Sequence, residues 1–201
     1  MKIYDIRAPN PRRVRIFLAE KRLELPLKAV DVGAGANRSS EFLEKNALGK
    51  LPVLEQDDGT CISESVAICR FFELKYPNPP LMGVDAVDQA RVEMWNRRIE
   101  LGLFRTTADY FQHSAPFFKD QFVQLPAYAA SAKASAETEL GLLDEALEGR
   151  RFFAGDRFTI ADITAWVAIE LGTPSVFTLQ PDFKNLMRWH AEVSSRPSAS
   201  A

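Results

Sequence analysis

The eight residues Tyr76–Gly83, YPNPPLMG, divide the chain into two kinds of sequence. Three prolines in so short a run block both a continuing helix and a central strand, because proline fixes its own φ and offers no N–H. Upstream of this segment apolar residues switch between strand-like and helix-like spacing; downstream only the helical spacing recurs. A chain so divided is expected to fold as an α/β N-terminal domain over 1–76, a linker over 77–84 and an all-α domain over 85–201.

Within the first domain KIYDI (2–6) reads as a strand. The stretch from Pro11 to about Leu23 reads as a helix, with Val14, Phe17, Leu18 and Lys21 at helical spacing, and LKAVDV (27–32) as a second strand. Strand, helix and strand joined this closely predict a βαβ unit with a parallel pair. After Ser39, EFLEKN predicts a short helix closed near Gly49. PVLEQ and TCIS flank Asp57-Asp58-Gly59, a hairpin turn in which glycine supplies positive φ, and 65–76 is a helix stopped by Pro77. The order βαβ-α-ββα predicts a mixed four-stranded sheet. Beyond the linker, helices are expected over 85–113, 126–147, 160–171 and 182–195. Thr159 with Asp162 three residues on forms a capping-box variant, with Phe158 and Ile163 at the staple positions.

With 201 residues, 46% of them hydrophobic and 26% charged, the chain is an ordinary globular one. Net charge is −2 and no basic block stands out. Arg12, Arg13 and Arg15 alternate with Val14, Ile16 and Phe17 and read as the solvated face of an amphipathic helix, so a nucleic-acid partner is not expected. The start carries no charged segment followed by an apolar one, and no run approaches the ~18 apolar residues of a membrane span. A soluble, cytoplasmic protein is the expectation. Cys61, Cys69, His113 and His190 are too few for a disulfide framework or a metal site, so no metal is expected. Cys69 lies in a helical pattern and Cys61 in a strand, and neither is read as a nucleophile.

The segments PNPRRVRIFLAEK (9–21), EFLEKNALGKLPVLEQDDGT (41–60), SESVAIC (63–69), the YPNPPLMG linker and FTIADIT (158–164) cover nearly the whole chain in order. Together they resemble the cytosolic glutathione S-transferase superfamily, in a bacterial or fungal type of branch that lacks the usual N-terminal Tyr, Ser or Cys. The resemblance implies a thioredoxin-like N-terminal domain and a helical-bundle C-terminal domain. It implies glutathione as co-substrate and a hydrophobic electrophile as second substrate. The implied activity is detoxifying conjugation, carried out by a homodimer in which the first domain of one chain meets the helices of the other.

It also implies site residues. The Leu51-Pro52 bond stands where the family has a cis proline, so that the backbone of Leu51 pairs with the cysteinyl part of glutathione as an added strand would. Read from the residues alone, Pro52 equally opens an edge strand in the trans form. Ser63-Glu64-Ser65 opens a helix whose free N–H groups favour an anion. Ser65 is implied to bind the γ-glutamyl carboxylate and Glu64 the ammonium, while Ser63 as an ordinary N-cap explains the triplet as well. Arg38 and Lys50, with Asn37 behind them, stand where some classes hold the glycine carboxylate.

A transferase of this kind requires the thiolate. Lowering a free thiol's pKa by ~2 units takes about 2.7 kcal/mol of preferential stabilisation of the anion. Residues 7–11 read Arg7-Ala8-Pro9-Asn10-Pro11, so the standard activating side chains are missing. Asn10 is the first candidate: it reads as an N-cap ahead of Pro11, and the resemblance implies that the sulfur lies at this helix start, within reach of its amide. His113, with Ser114, is the second, holding a water against the sulfur; a histidine at a helix end is also an ordinary C-terminal cap. Arg105 and Tyr110 are further pocket candidates. Phe104, Phe111, Phe117 and Phe118 offer an apolar second site, although aromatic residues at helical spacing commonly fill cores. Two alternatives remain open. One is glutathione-dependent reduction of disulfides or peroxides; the other is a non-catalytic interaction module of the same fold.

Overall fold

The computed structural model describes residues 1–121 and 123–201. They form two compact units, Met1–Leu81 with Pro197–Ala201, and Met82–Arg196. The first unit contains β1 (Lys2–Asp5), α1 (Pro9–Glu20), β2 (Leu27–Ala29), a 3-10 turn (Ala36–Arg38), α2 (Ser40–Lys45), β3 (Val53–Glu55), β4 (Cys61–Ser63) and α3 (Ser65–Lys75). The strands lie in the order β2-β1-β3-β4. β1 and β2 are parallel and the other two pairs antiparallel. This is the mixed four-stranded sheet that the βαβ-α-ββα pattern predicts, in the thioredoxin-like form that the resemblance implies.

The register sets Tyr4 opposite both Lys28 and Val53. Alternation along a strand then puts Tyr4 and Val53 on one face, where Phe42 of α2 joins them in a small core. Ile3 and Leu54 point the other way and are as fully buried, so both faces of the sheet are covered.

The first helix departs from the expected start. Ala8, in an extended conformation, is the N-cap, and Pro9 and Pro11 both lie in the first turn. That turn's N–H groups have no helical partner in any case, so two prolines cost nothing there. Asn10 is therefore the second helical residue rather than the cap. Nor do the arginines form a solvated face. Arg13 is fully buried, Arg15 pairs with Asp5 at 2.6 Å, and Arg12 donates to the carbonyl of Ala199 at 3.0 Å. The helix runs at 100° per residue, so Arg13 sits above Phe17 on the apolar stripe.

A buried ammonium closes the unit. Lys21 Nζ donates to the carbonyls of Tyr76 (2.8 Å) and Pro79 (2.6 Å) and pairs with Glu73 at 2.5 Å. Glu73 also accepts the Leu81 N–H. The proline-rich segment is thereby held to the end of α1. Pro197–Ser200, a 3-10 turn, packs on the same helix, with the Ser198 hydroxyl bonded to Glu20.

The second unit begins with α4 (Ala86–Ile99), capped by the Asp85 carboxylate, which accepts from Val87 N and Asp88 N. A π-helical turn, Glu100–Phe104, joins α4 to α5 (Arg105–Ser114). The expected helix 85–113 is thus continuous, with one wide turn in its middle. Gly102 lies in that turn, where a Cβ would stand 2.6 Å from Oε2 of Glu139. A 3-10 turn (Pro116–Phe118), α6 (Pro126–Ala146), α7 (Ile160–Gly172) and α8 (Lys184–Ser194) follow. Every residue of α7 from Ile160 to Ile169 is buried, as expected of the central helix of a bundle.

The capping box that begins α7 is present. The buried Asp162 carboxylate accepts from Thr159 N (2.9 Å) and Oγ1 (3.0 Å), from Phe153 N (3.2 Å) and from Trp189 Nε1 (2.9 Å). One carboxylate thereby fixes the α7 start, the preceding loop and α8. No helix is long and apolar enough to cross a membrane among the described residues.

Candidate functional site

Ser65 is the first residue of α3 and is buried. Its Oγ accepts a hydrogen bond from Arg13 Nη1 at 2.9 Å and donates to Oδ1 of Asn10 at 3.4 Å. Residues on α1 and α3, more than fifty positions apart in sequence, thus meet at two helix N-termini. The bond directions run one way, from guanidinium to hydroxyl to amide oxygen, so the Nδ2 donors of Asn10 are not used in this chain of bonds.

Glu64 precedes Ser65 with φ +68° and ψ 118°. A glutamate in this region is strained by about 1–3 kcal/mol, and such strain gathers at ligand clamps. Glu64 is the N-cap of α3, yet its side chain makes no capping hydrogen bond. Ser63, the cap expected from composition, ends β4 instead. The first-turn N–H groups of α3 are therefore not capped by the Glu64 side chain, and a positive helix end lies beside a buried guanidinium.

The loop before β3 is pinned by backbone-directed amides. Asn37 Nδ2 donates to the carbonyl of Gly49 and Asn46 Nδ2 to that of Lys50, each at 2.8 Å. Arg38 Nη1 donates to the carbonyl of Leu48 at 3.2 Å. Gly49 has φ +62°, and a Cβ there would lie 2.8 Å from the carbonyl oxygen of Asn37. Arg38, Lys50, Leu51 and Pro52 are accordingly brought together at one loop, and the Leu51-Pro52 bond is cis. The trans alternative left open by the residues is excluded. Asn37, read from sequence as a minor ligand contact, is buried and holds the loop.

Tyr4 does not serve as an activating tyrosine. Its hydroxyl donates to Glu55 at 2.7 Å, and burial followed by the Glu55 contact raises its pKa. Lys2 and Lys45 pair with the same carboxylate at 2.9 and 3.0 Å. Hydrogen bonds from Lys2, Tyr4 and Lys45 hold Glu55 down at about 2. Burial pushes the Cys69 thiol up to about 12 and, less strongly, raises that of Cys61. Neither cysteine is an ionised nucleophile at neutral pH.

The other candidates lie on α5 of the second unit. Arg105 is exposed and pairs with the buried Asp109 at 2.8 Å, while Tyr110 stands edge-on to Phe111. Ser114 Oγ donates to the Tyr110 carbonyl at 2.7 Å. His113 Nδ1 accepts the Leu125 N–H at 3.2 Å, and its ring meets that of Tyr128 edge-on at 4.7 Å. The lone pair on Nδ1 is occupied, so the neutral ring carries its proton on Nε2 and presents a donor there. His113 ties the end of α5 to the start of α6, a contact different from either helix capping or proton acceptance.

Arg13 is the residue that sequence reasoning missed at the site itself. Its signal was positional: an arginine three and four residues before Ile16 and Phe17 shares their face. Its partner, Ser65, lies too far along the chain for any local pattern to supply.

A thioredoxin-like sheet followed by a helical bundle, with a serine at the start of the helix after a cis-proline hairpin, is the architecture expected of a glutathione S-transferase. Comparison with known proteins agrees. Residues 1–73 match the glutathione S-transferase N-terminal domain family and residues 108–197 the corresponding C-terminal domain family. Glutathione S-transferase 2 of Saccharomyces cerevisiae is 32% identical, over 98% of this chain and 87% of its own. The crystal structure of a glutathione S-transferase domain-containing protein from Marinobacter aquaeolei is similar with a TM-score of 0.93 and 37% identity, over 98% of this chain and 99% of that one. The structure of Gtt2 from Saccharomyces cerevisiae also gives a TM-score of 0.93, with 31% identity over 100% of this chain and 99% of that one. The chain belongs to the glutathione S-transferase family, in its Gtt2-like branch.

Proposed function

We propose that the protein binds glutathione, stabilises its thiolate and conjugates it to hydrophobic electrophiles. The observation that carries this reading is Ser65, buried at the start of α3 between Arg13 and Asn10. The γ-glutamyl carboxylate is placed on the Ser65 hydroxyl and first-turn N–H groups, within the field of the Arg13 guanidinium. The exposed carboxylate of Glu64, with no capping duty, takes the ammonium. Leu51 meets the cysteinyl backbone, and Arg38 and Lys50 meet the glycine carboxylate.

Asn10 is assigned the activating contact. Its Oδ1 is held by Ser65, so Nδ2 donates to the sulfur, and a hydrogen bond to a charged acceptor is worth ~1.5–3 kcal/mol. That matches the size of the required stabilisation, with the N-terminal end of α1 adding to it. Pro52 shapes the approach to Leu51. Arg105, Tyr110 and Ser114 are assigned to the electrophile's surroundings. His113 is kept as a donor through Nε2, because its other nitrogen is engaged by Leu125.

Calorimetric titration with glutathione tests the site. Saturable binding is expected, weakened at least ~10-fold by Ser65→Ala, a loss of about 1.4 kcal/mol. Asn10→Ala should keep most of that affinity while raising the pKa of the bound thiol, followed by thiolate absorbance. A bound thiol that ionises equally well without Asn10 would remove the residue from its assigned role. No binding at millimolar glutathione would instead favour the non-catalytic module.

A further inference from the structure

In the second unit, a cavity of about 510 Å³ opens between α4 and the loop before α7. None of the candidate residues described above lines it. Arg91, Arg98 and Arg150 line it, and Asp156 is the single carboxylate among the lining residues. Among the described residues none of the three guanidiniums has a carboxylate at ion-pair distance. By contrast, Arg97, Arg105, Arg151 and Arg188 of the same unit each have one. Trp95 forms the wall. The guanidinium carbons of Arg98 and Arg150 lie 5.0 and 5.7 Å from its ring centroid, and buried Phe153 backs it at 5.9 Å.

We propose that this cavity binds an organic phosphate of nucleotide size, with its phosphate groups on Arg91, Arg98 and Arg150 and its planar ring against Trp95. Three planar forks call for several anionic oxygens in fixed geometry, which a diphosphate supplies and a single carboxylate does not. A half-buried indole beside them offers a surface for a flat ring. The volume falls within the ~300–1,000 Å³ of small-molecule sites. The inference is independent of the glutathione site.

The test uses the full chain and tryptophan fluorescence, because Trp166 and Trp189 are buried and Trp95 is the tryptophan at the cavity. Titration with ADP is expected to change the emission saturably, with a dissociation constant below ~1 mM. Inorganic pyrophosphate should compete and adenosine should not. Arg98→Ala and Arg150→Ala should each weaken ADP at least ~10-fold and leave glutathione affinity unchanged. Arg91→Ala, on the exposed face of α4, is the substitute if either variant fails to fold by circular dichroism. Trp95→Phe should abolish the signal while calorimetry still records ADP. Titrations with and without saturating glutathione separate this site from the first.

Three results would overturn the inference. One is the absence of saturation. Another is ADP affinity that falls with Ser65→Ala but not with the arginine variants, placing the nucleotide in the other site. The last is arginine variants that alter the sedimenting mass without affecting ADP, which would assign the cavity to a second copy of the chain.

Discussion

At Asp162 burial and hydrogen bonding pull in opposite directions. Four donors favour the carboxylate, but desolvation prevails and pushes its pKa up from 3.8 to about 6. The folded protein therefore holds a proton that the unfolded chain has released, and stability from this group falls as pH rises from about 4 to about 6, by ~3 kcal/mol at most. Glu55 behaves in the opposite sense. Its pKa is lowered from 4.5 to about 2, so its contribution is present above about pH 4.5 and is lost as pH falls toward 2. Melting temperature followed against pH should pass through a maximum near pH 4, where the two windows meet. Asp162→Asn should flatten the limb between about pH 4 and 6. It should also cost ~2–4 kcal/mol, because an amide turns a donor toward groups that themselves donate. The site residues show what a sequence reveals at this scale. Leu51-Pro52 and Glu64-Ser65 are two short local motifs, and it was their order along the chain, matched to a known family, that pointed to them. Asn10 was named from its place ahead of Pro11, but that Arg13 and Asn10 both meet Ser65 depends on where α1 lies against α3, which no spacing within α1 encodes.

Helix and strand spans were legible wherever punctuation was strong. Pro126 opens α6, Asp162 marks the start of α7, and the Asp-Asp-Gly turn separates β3 from β4. The start of α1 was misplaced by two residues because Pro9 and Pro11 fit a first turn equally well. The π-helical turn at Glu100–Phe104 left no trace, since it reflects packing around Gly102 rather than a break in hydrophobic spacing. Between elements the most exacting contact is the Lys21 ammonium on Glu73 and two carbonyls. Lys21→Ala strips a buried carboxylate of its ammonium and should cost ~3–5 kcal/mol by chemical denaturation. Gly83 is as constrained: at φ +101° its Cβ would lie 2.5 Å from the backbone N of Gln89. Gly83→Ala should lower stability by ~2–4 kcal/mol, whereas Gly102→Ala should cost less, because the atom it meets ends a flexible glutamate.

Over the whole molecule, the division into an α/β part and a helical part was plain from the change in hydrophobic spacing at the proline-rich segment. The return of the last residues to the first unit was not. PSAS carries no apolar stripe, and its place on α1 rests on a carbonyl and a hydroxyl, bonded to Arg12 and Glu20. Deleting residues 197–201 should therefore destabilise the sheet-containing unit by ~1–2 kcal/mol, read as a lower melting temperature with helical content retained. Because of that return, the helical unit is an insertion within the other, entered at Leu81 and left at Arg196. During synthesis the strands of the α/β unit emerge ahead of the helical unit, and the segment that completes the α/β unit emerges behind. Its sheet can close early, but the outer side of α1 waits for a segment encoded after every helix of the bundle.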